Sequence, residues 1–171
     1  HHLPYDCPRR QLDELLATVA PADEIAAIIV EPIQGEGGYR VPSPEFLPIL
    51  RQVCDQHGIL LVVDEIQSGM GRTGRWFAVE QSGVVPDVMT LAKALGGGIP
   101  IGAMCTTREL SKALVPGTHA STFGGNPLAC AVACAVLDEL LEGGVLDHAK
   151  AMGERLGDGL DAIAAALGPE K

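Results

Sequence analysis

Leucines recur at helical spacing between Arg10 and Val19 (Leu12, Leu15, Leu16), which predicts a first helix. Ala26 to Val30 is a short run rich in β-branched residues that stops at Glu31-Pro32, and it reads as a buried strand. Pro44 to His57 predicts a second helix, with Ser43 as N-cap, Pro44 at the first position and Gly58 as the stop. Ile59 to Val63 is unbroken apolar sequence closed by Asp64-Glu65, the pattern of a central parallel strand that is apolar on both faces. Trp76 to Ser82 reads as a short helix, and Asp87 to Leu91 and Gly102 to Thr106 as two further strands. Asn126-Pro127 opens a helix that runs to about Glu142. That helix is apolar all round, which predicts deep burial. From Val145 onward Leu146, Ala149, Met152, Leu156, Leu160, Ile163 and Leu167 form an i+3/i+4 stripe, interrupted by Gly153, Gly157 and Gly159. Strands alternating with helices predict an α/β fold. The sheet should be mostly parallel, flanked by helices and joined by right-handed crossovers.

The length of 171 residues suits one domain or most of one. Twelve basic against 22 acidic side chains leave a formal charge of −10, which argues against a basic face for nucleic acid. The longest apolar run, Leu128 to Leu137, is too short for a membrane span of about 20 residues. No signal peptide opens the chain. The five cysteines are odd in number and contain no CxxC pair, so neither a disulfide framework nor a zinc or other metal site is expected. Cys130 and Cys134, four apart in an alanine-rich stretch, read as small buried hydrophobes. A reducing, cytoplasmic setting follows.

In open parallel sheets, ligands bind at the carboxyl ends of the strands. Three functional-looking groups fall there: Glu31, Asp64 and Lys93. Of the four lysines, Lys112 and Lys150 lie among polar residues and Lys171 is terminal. Lys93 instead sits in Thr90-Leu91-Ala92-Lys93-Ala94-Leu95-Gly96-Gly97-Gly98. A largely apolar setting disfavours its charge, and a neutral amine is a nucleophile. A lysine that snorkels to the surface explains the segment equally well. Asp64 at the end of an apolar strand needs a partner, whether a helix cap, an arginine or a protonated ring nitrogen. A lysine able to form a Schiff base, together with an aspartate facing a pyridinium, is what pyridoxal phosphate requires. The segment from Gly117 to Asn126 offers hydroxyls and flexible amides just before a helix N-terminus, where anions are favoured. An ordinary capping loop is the alternative. Gly35-Glu36-Gly37-Gly38 and Gly69 to Gly74 lack the Lys-Ser/Thr of a nucleotide-binding P-loop.

Four segments together resemble the class III, ornithine-aminotransferase-like, pyridoxal-phosphate enzymes. They are Val30-Glu31-Pro32-Ile33-Gln34-Gly35-Glu36-Gly37-Gly38, then Val63 to Gly69 followed by Gly71-Arg72-Thr73-Gly74, then Leu91 to Gly98, and Ser121-Thr122-Phe123-Gly124-Gly125-Asn126-Pro127-Leu128-Ala129. They occur in the family's order and cover most of the chain from Ile25 to about Leu140. The resemblance implies fold type I, with residues 1–171 as a partial large domain. It implies pyridoxal 5'-phosphate as cofactor and Lys93 as the Schiff-base lysine and proton carrier. Asp64 would face the pyridine nitrogen, Ile66 the ring face and Gln67 the ring hydroxyl. Ser121 and Thr122 would contact the phosphate of the partner subunit's cofactor, so a homodimer is implied. Glu36 is similar to the family's gating glutamate for a substrate-binding arginine, and Glu31 to a structural or supporting residue. An amino donor and a 2-oxo acid would be the substrates. Within the family, His119 to Ala129 is most similar to bacterial acetylornithine aminotransferases of arginine biosynthesis. Ornithine, 4-aminobutyrate and other ω-amino acid aminotransferases share most of these residues. The family is more than twice this length, with an N-terminal phosphate-binding turn, a ring-stacking aromatic and a C-terminal small domain that are absent here. A fragment with little or no turnover, at most a weak cofactor binder, is therefore the reading from another class.

Overall fold

The computed structural model describes residues 1–168, so Lys171 lies outside the described residues. The chain runs α1 (Arg9–Thr18), β1 (Ala27–Val30), α2 (Phe46–His57), β2 (Leu60–Asp64), β3 (Val88–Leu91), β4 (Ala103–Thr106), α3 (Pro127–Glu142) and α4 (Val145–Leu167). Single 3-10 turns stand at Ala22–Glu24, Ala78–Ser82, Lys93–Gly96 and Leu110–Ala113.

Local chemistry sets the helix ends. Asn126 caps α3, its Oδ1 accepting the N–H of Ala129 at 2.9 Å, with Pro127 in the first turn. Gly58 ends α2 at φ +69°, a conformation that glycine adopts without strain. The start of α2 differs from expectation. Ser43 does not cap it, because its N–H and Oγ both donate to the Asp6 carboxylate, at 3.0 and 2.7 Å. The helix therefore begins at Phe46, two residues after the expected Pro44.

The four strands lie in the order β1-β2-β3-β4. The pairs β1–β2 and β2–β3 are parallel, with Val30 opposite Val63 and Asp64 opposite Thr90. The pair β3–β4 is antiparallel, so the sheet is mostly parallel, as expected. A parallel partner needs a crossover of a dozen or more residues, usually helical. The β3–β4 connection offers only the turn Lys93–Gly96 and the glycines after it.

One face of the sheet is well covered. Leu61 and Val63 of β2 pack with Val30, with Phe46, Leu47, Leu50, Val53 and Cys54 of α2, and with Leu12 of α1. Fully burying one such side chain stabilises by roughly 1.5–3 kcal/mol. The opposite face carries Ile29, Leu60, Val62 and Asp64. Ile29 is 72% exposed there, and the three β2 residues are half-buried. The sheet face that the unbroken apolar run predicts as covered is thus open among the described residues.

α3 and α4 depart from expectation in the same way. In α3 only Ala129, Ala133 and Leu140 are buried, while Leu128 and Leu141 are two-thirds exposed. Cys130 is half-buried and Cys134 exposed, so the pair is not a buried hydrophobic unit. No residue of α4 is buried, and Leu156, Leu160, Ile163 and Leu167 are all exposed. Ala133 and Leu140 of α3 pack with Met70, Leu91 and Leu95, and Leu146 of α4 packs against that cluster, but the stripe from Leu156 onward is exposed. Periodicity states which face favours burial, not what buries it.

Candidate functional site

Asp64 is the last residue of β2 and sits on the open sheet face, half-buried. Its Oδ1 accepts the N–H of Ile66 at 2.9 Å, which leaves Oδ2 without a protein donor among the described residues. Ile66 and Gln67 follow in a tight turn and are also half-buried.

Lys93 stands on the neighbouring strand end, two residues past β3. Its φ is +45°, a left-handed backbone in a residue with a Cβ. Such a conformation costs on the order of 1–3 kcal/mol and persists only where the surroundings enforce it. The surroundings here are specific. Leu95 N–H donates to Ala92 O at 3.0 Å and Gly97 N–H to Ala94 O at 3.1 Å. A Cβ at Gly96 would lie 2.9 Å from Ile101 Cγ2, and one at Gly97 would lie 3.1 Å from Val136 Cγ2 of α3. The turn that presents Lys93 is thus pressed between the start of β4 and α3.

The Lys93 amine donates to Gln67 Oε1. The residue is exposed, so of the two readings of this segment the largely apolar enclosure is absent among the described residues. Gln67 also touches the first glycine-rich loop. A Cβ at Gly35 would sit 2.5 Å from Gln67 Nε2 and 2.6 Å from its Cδ. Gly35 N–H donates to Glu31 Oε2 at 2.9 Å, and Tyr5 OH donates to the Glu31 carbonyl at 3.0 Å. Glu31 thus holds the loop closed. Burial pushes the Tyr5 phenol up to about 12. Glu36, next to Gly35, is exposed.

The fold therefore gathers Asp64, Ile66, Gln67, Lys93 and the loop bearing Glu36 from three separate motifs. It does not gather Ser121 and Thr122. Both are exposed in the segment before α3, where Ser121 Oγ accepts Gly124 N–H at 3.0 Å. No hydrogen bond among the described residues joins them to Lys93 or Asp64. A cavity of about 530 Å³ between α1, α2 and β1 reaches Tyr5, Glu31, Gln34 and Asp64, but Lys93 and Gln67 do not line it.

Glu65 is a further residue of this region, one that residue type and spacing mark only as the end of a strand. It is 1% exposed. Its Oε2 accepts from Ser68 Oγ at 2.6 Å and its Oε1 from Val79 N–H at 2.8 Å. The available signal was a second carboxylate directly after an apolar strand, since alternation turns neighbouring side chains to opposite faces. Among the described residues no cluster of His, Cys, Asp and Glu could hold a metal ion. No described helix is long and apolar enough to cross a membrane.

Fold and site define an α/β protein with a lysine, a carboxylate and a carboxamide at adjoining ends of parallel strands. Comparison with known proteins narrows this. The family model for aminotransferase class-III matches residues 3–168. Acetylornithine aminotransferase of Methanopyrus kandleri is 54% identical over 132 residues, 77% of this chain and 34% of that protein. The 5-aminovalerate aminotransferase of Pseudomonas aeruginosa is 47% identical over 96% of this chain and 39% of its own length. The crystal structure of ornithine aminotransferase from Toxoplasma gondii superposes with a TM-score of 0.89 at 42% identity, covering 98% of this chain and 39% of that one. The chain belongs to the class III aminotransferases, a family of pyridoxal-phosphate-dependent transferases. It spans about a third of the length of the curated relatives it matches.

Proposed function

We propose that this chain is the lysine-bearing part of the large domain of an aminotransferase. The enzyme moves the terminal amino group of N-acetylornithine to 2-oxoglutarate, with pyridoxal 5'-phosphate held on Lys93. The observation that carries the reading is the Lys93–Gln67 contact beside Asp64. The residues fit that group. An exposed amine can reach its carbonyl, a carboxylate oxygen without a protein donor suits a protonated ring nitrogen, and Ile66 offers an apolar wall. When bound, the cofactor supplies an electron sink for the pair released as a substrate C–H bond breaks.

The chain's own residues do the rest. The Lys93 amine is the general base that takes the proton from the substrate carbon and returns it. Asp64 keeps the ring nitrogen protonated. Gln67 orients the lysine through its Oε1 and donates from its amide to the ring hydroxyl. Ser121 and Thr122, both exposed and sharing no hydrogen bond with Lys93 among the described residues, serve the phosphate held by a second subunit, so the working form is a homodimer in the cytoplasm. Glu36 guards the substrate carboxylate subsite. Several relatives named acetylornithine aminotransferase support the donor. Others named for 5-aminovalerate and putrescine make the donor the first thing to test. Because the chain spans about a third of those relatives, a second reading is a segment that captures cofactor weakly and does not turn over alone.

The test is the absorption spectrum with added pyridoxal phosphate, for the native chain and Lys93→Ala. A lysine-bound cofactor band only in the native chain is expected, bleached fastest by N-acetylornithine among N-acetylornithine, ornithine and 4-aminobutyrate. A band that survives Lys93→Ala in the full-length protein overturns the assignment of the lysine. Faster bleaching by another donor overturns the substrate.

A further inference from the structure

A carboxylate taken out of water is costly unless donors meet its oxygens. Glu65 meets this condition on both oxygens, through Ser68 Oγ at 2.6 Å and Val79 N–H at 2.8 Å. Its backbone is tied as well. Its N–H donates to Thr90 O of β3 at 3.0 Å, and its carbonyl accepts Gly69 N–H at 3.0 Å. A Cβ at Gly69 would lie 2.8 Å from Glu65 O and 3.0 Å from Glu65 Cβ, so the turn closes on Glu65 with no room for a side chain. These contacts join one residue to β3, to the 3-10 turn Ala78–Ser82 and to the far end of its own turn. Gln67 sits at the middle of that turn and meets the Lys93 amine.

We infer that Glu65 is a positioning residue for the Lys93–Gln67 pair: its buried carboxylate, held by Val79 and Ser68, fixes the turn 65–69 and with it the place where Gln67 meets Lys93. This rests on the reading of Lys93 as the cofactor-bearing lysine. The role is one of length and hydrogen-bond acceptance rather than charge. A glutamine at 65 keeps an acceptor for Val79 N–H and turns an N–H toward Ser68 Oγ, which then accepts. An aspartate is one methylene short and cannot span both partners.

The experiment compares Glu65→Gln, Glu65→Asp and Ser68→Ala. In the cofactor-free chain, NMR reads the Gln67 side-chain amide and hydrogen exchange reads the Val79 amide. In the full-length protein loaded with pyridoxal phosphate, kcat and KM are taken per folded site. Glu65→Gln should stay within about twofold of native in every measurement. Glu65→Asp should speed Val79 exchange at least tenfold, displace the Gln67 signals and lower kcat at least tenfold, with KM within twofold. A merely structural role lowers the yield and melting temperature but leaves kcat per folded site and the Gln67 signals in place, and that result overturns the inference. So does Glu65→Gln falling as far as Glu65→Asp, which would mean that charge matters. If Glu65→Asp does not fold, Ser68→Ala decides: displaced Gln67 signals support the inference and unmoved ones refute it. If native protein captures no cofactor at Lys93, the aminotransferase reading fails, while the Gln67 and Val79 signals still decide what Glu65 does.

Discussion

Gly35→Ala separates the stability of the fold from the geometry of the site. The added Cβ would lie 2.5 Å from Gln67 Nε2, and the nearest comfortable contact is about 3.4 Å, so the carboxamide must move by about 0.9 Å. Gly35 does not have a positive φ, so the backbone accepts alanine without strain. The obstacle is the far end of a flexible side chain, which can swing away. What is lost is the hydrogen bond from Lys93 to Gln67 Oε1. At an exposed lysine, water competes for that bond, and its contribution to stability is about 0.2–1 kcal/mol. For a chain of this size 1 kcal/mol shifts Tm by about 2–4 °C. Gly35→Ala should therefore lower Tm by no more than about 4 °C and leave the circular dichroism of the folded chain unchanged. The Gln67 side-chain amide signals should shift, and cofactor capture at Lys93, read as a reduced lysine adduct by mass spectrometry, should slow several-fold. A fall in Tm of 10 °C or more, or Gln67 signals that stay in place, would refute the reasoning, because either means that Gly35 is required for something other than room for Gln67.

Three further outcomes follow from the structure. Asn126→Ala removes the side-chain acceptor for Ala129 N–H and should cost about 1 kcal/mol in urea unfolding, whereas Asn126→Asp, which keeps the acceptor, should cost little; equal losses would show that the cap is not the cause. Burial pushes the Cys54 thiol up to about 11, above its ordinary value of 9.0, so the folded chain holds the proton in a range where the unfolded chain has released it. Stability from this group is intact below pH 9 and falls as pH rises from 9 toward 11, and Cys54→Ala should flatten that part of the stability profile. At neutral pH a thiol reagent should label exposed Cys105 and Cys134 before buried Cys54, and early labelling of Cys54 would contradict its burial.

The strands were legible because each is a short apolar run ended by a charged or turn-forming residue. All four strands therefore stand within a residue of their expected places. Asn126-Pro127 announced α3 because cap chemistry is local. Ser43 misled for the opposite reason: its partner, Asp6, is 37 residues away in sequence, and a hydroxyl bound there cannot cap a helix. The direction of β4 was hidden because it depends on the length and shape of the β3–β4 connection, not on the residues of the strand.

Residue type and spacing alone set the chemistry on offer. The chain contains a lysine and an aspartate just beyond apolar strands, a carboxamide in the next turn, and glycines where loops must close. These follow from residue type and spacing, which local physics reads directly. Which of these groups meet is a matter of long-range packing. Parallel pairing of β2 and β3 puts Asp64 beside Thr90 and brings Gln67 within reach of the Lys93 amine. The absence of a side chain at Gly35 lets that carboxamide in. Among the described residues one sheet face is open, which leaves Asp64 half-buried and Lys93 exposed. Such contacts join residues 26 or more positions apart, and their free energy depends on distance and burial, which no local pattern encodes.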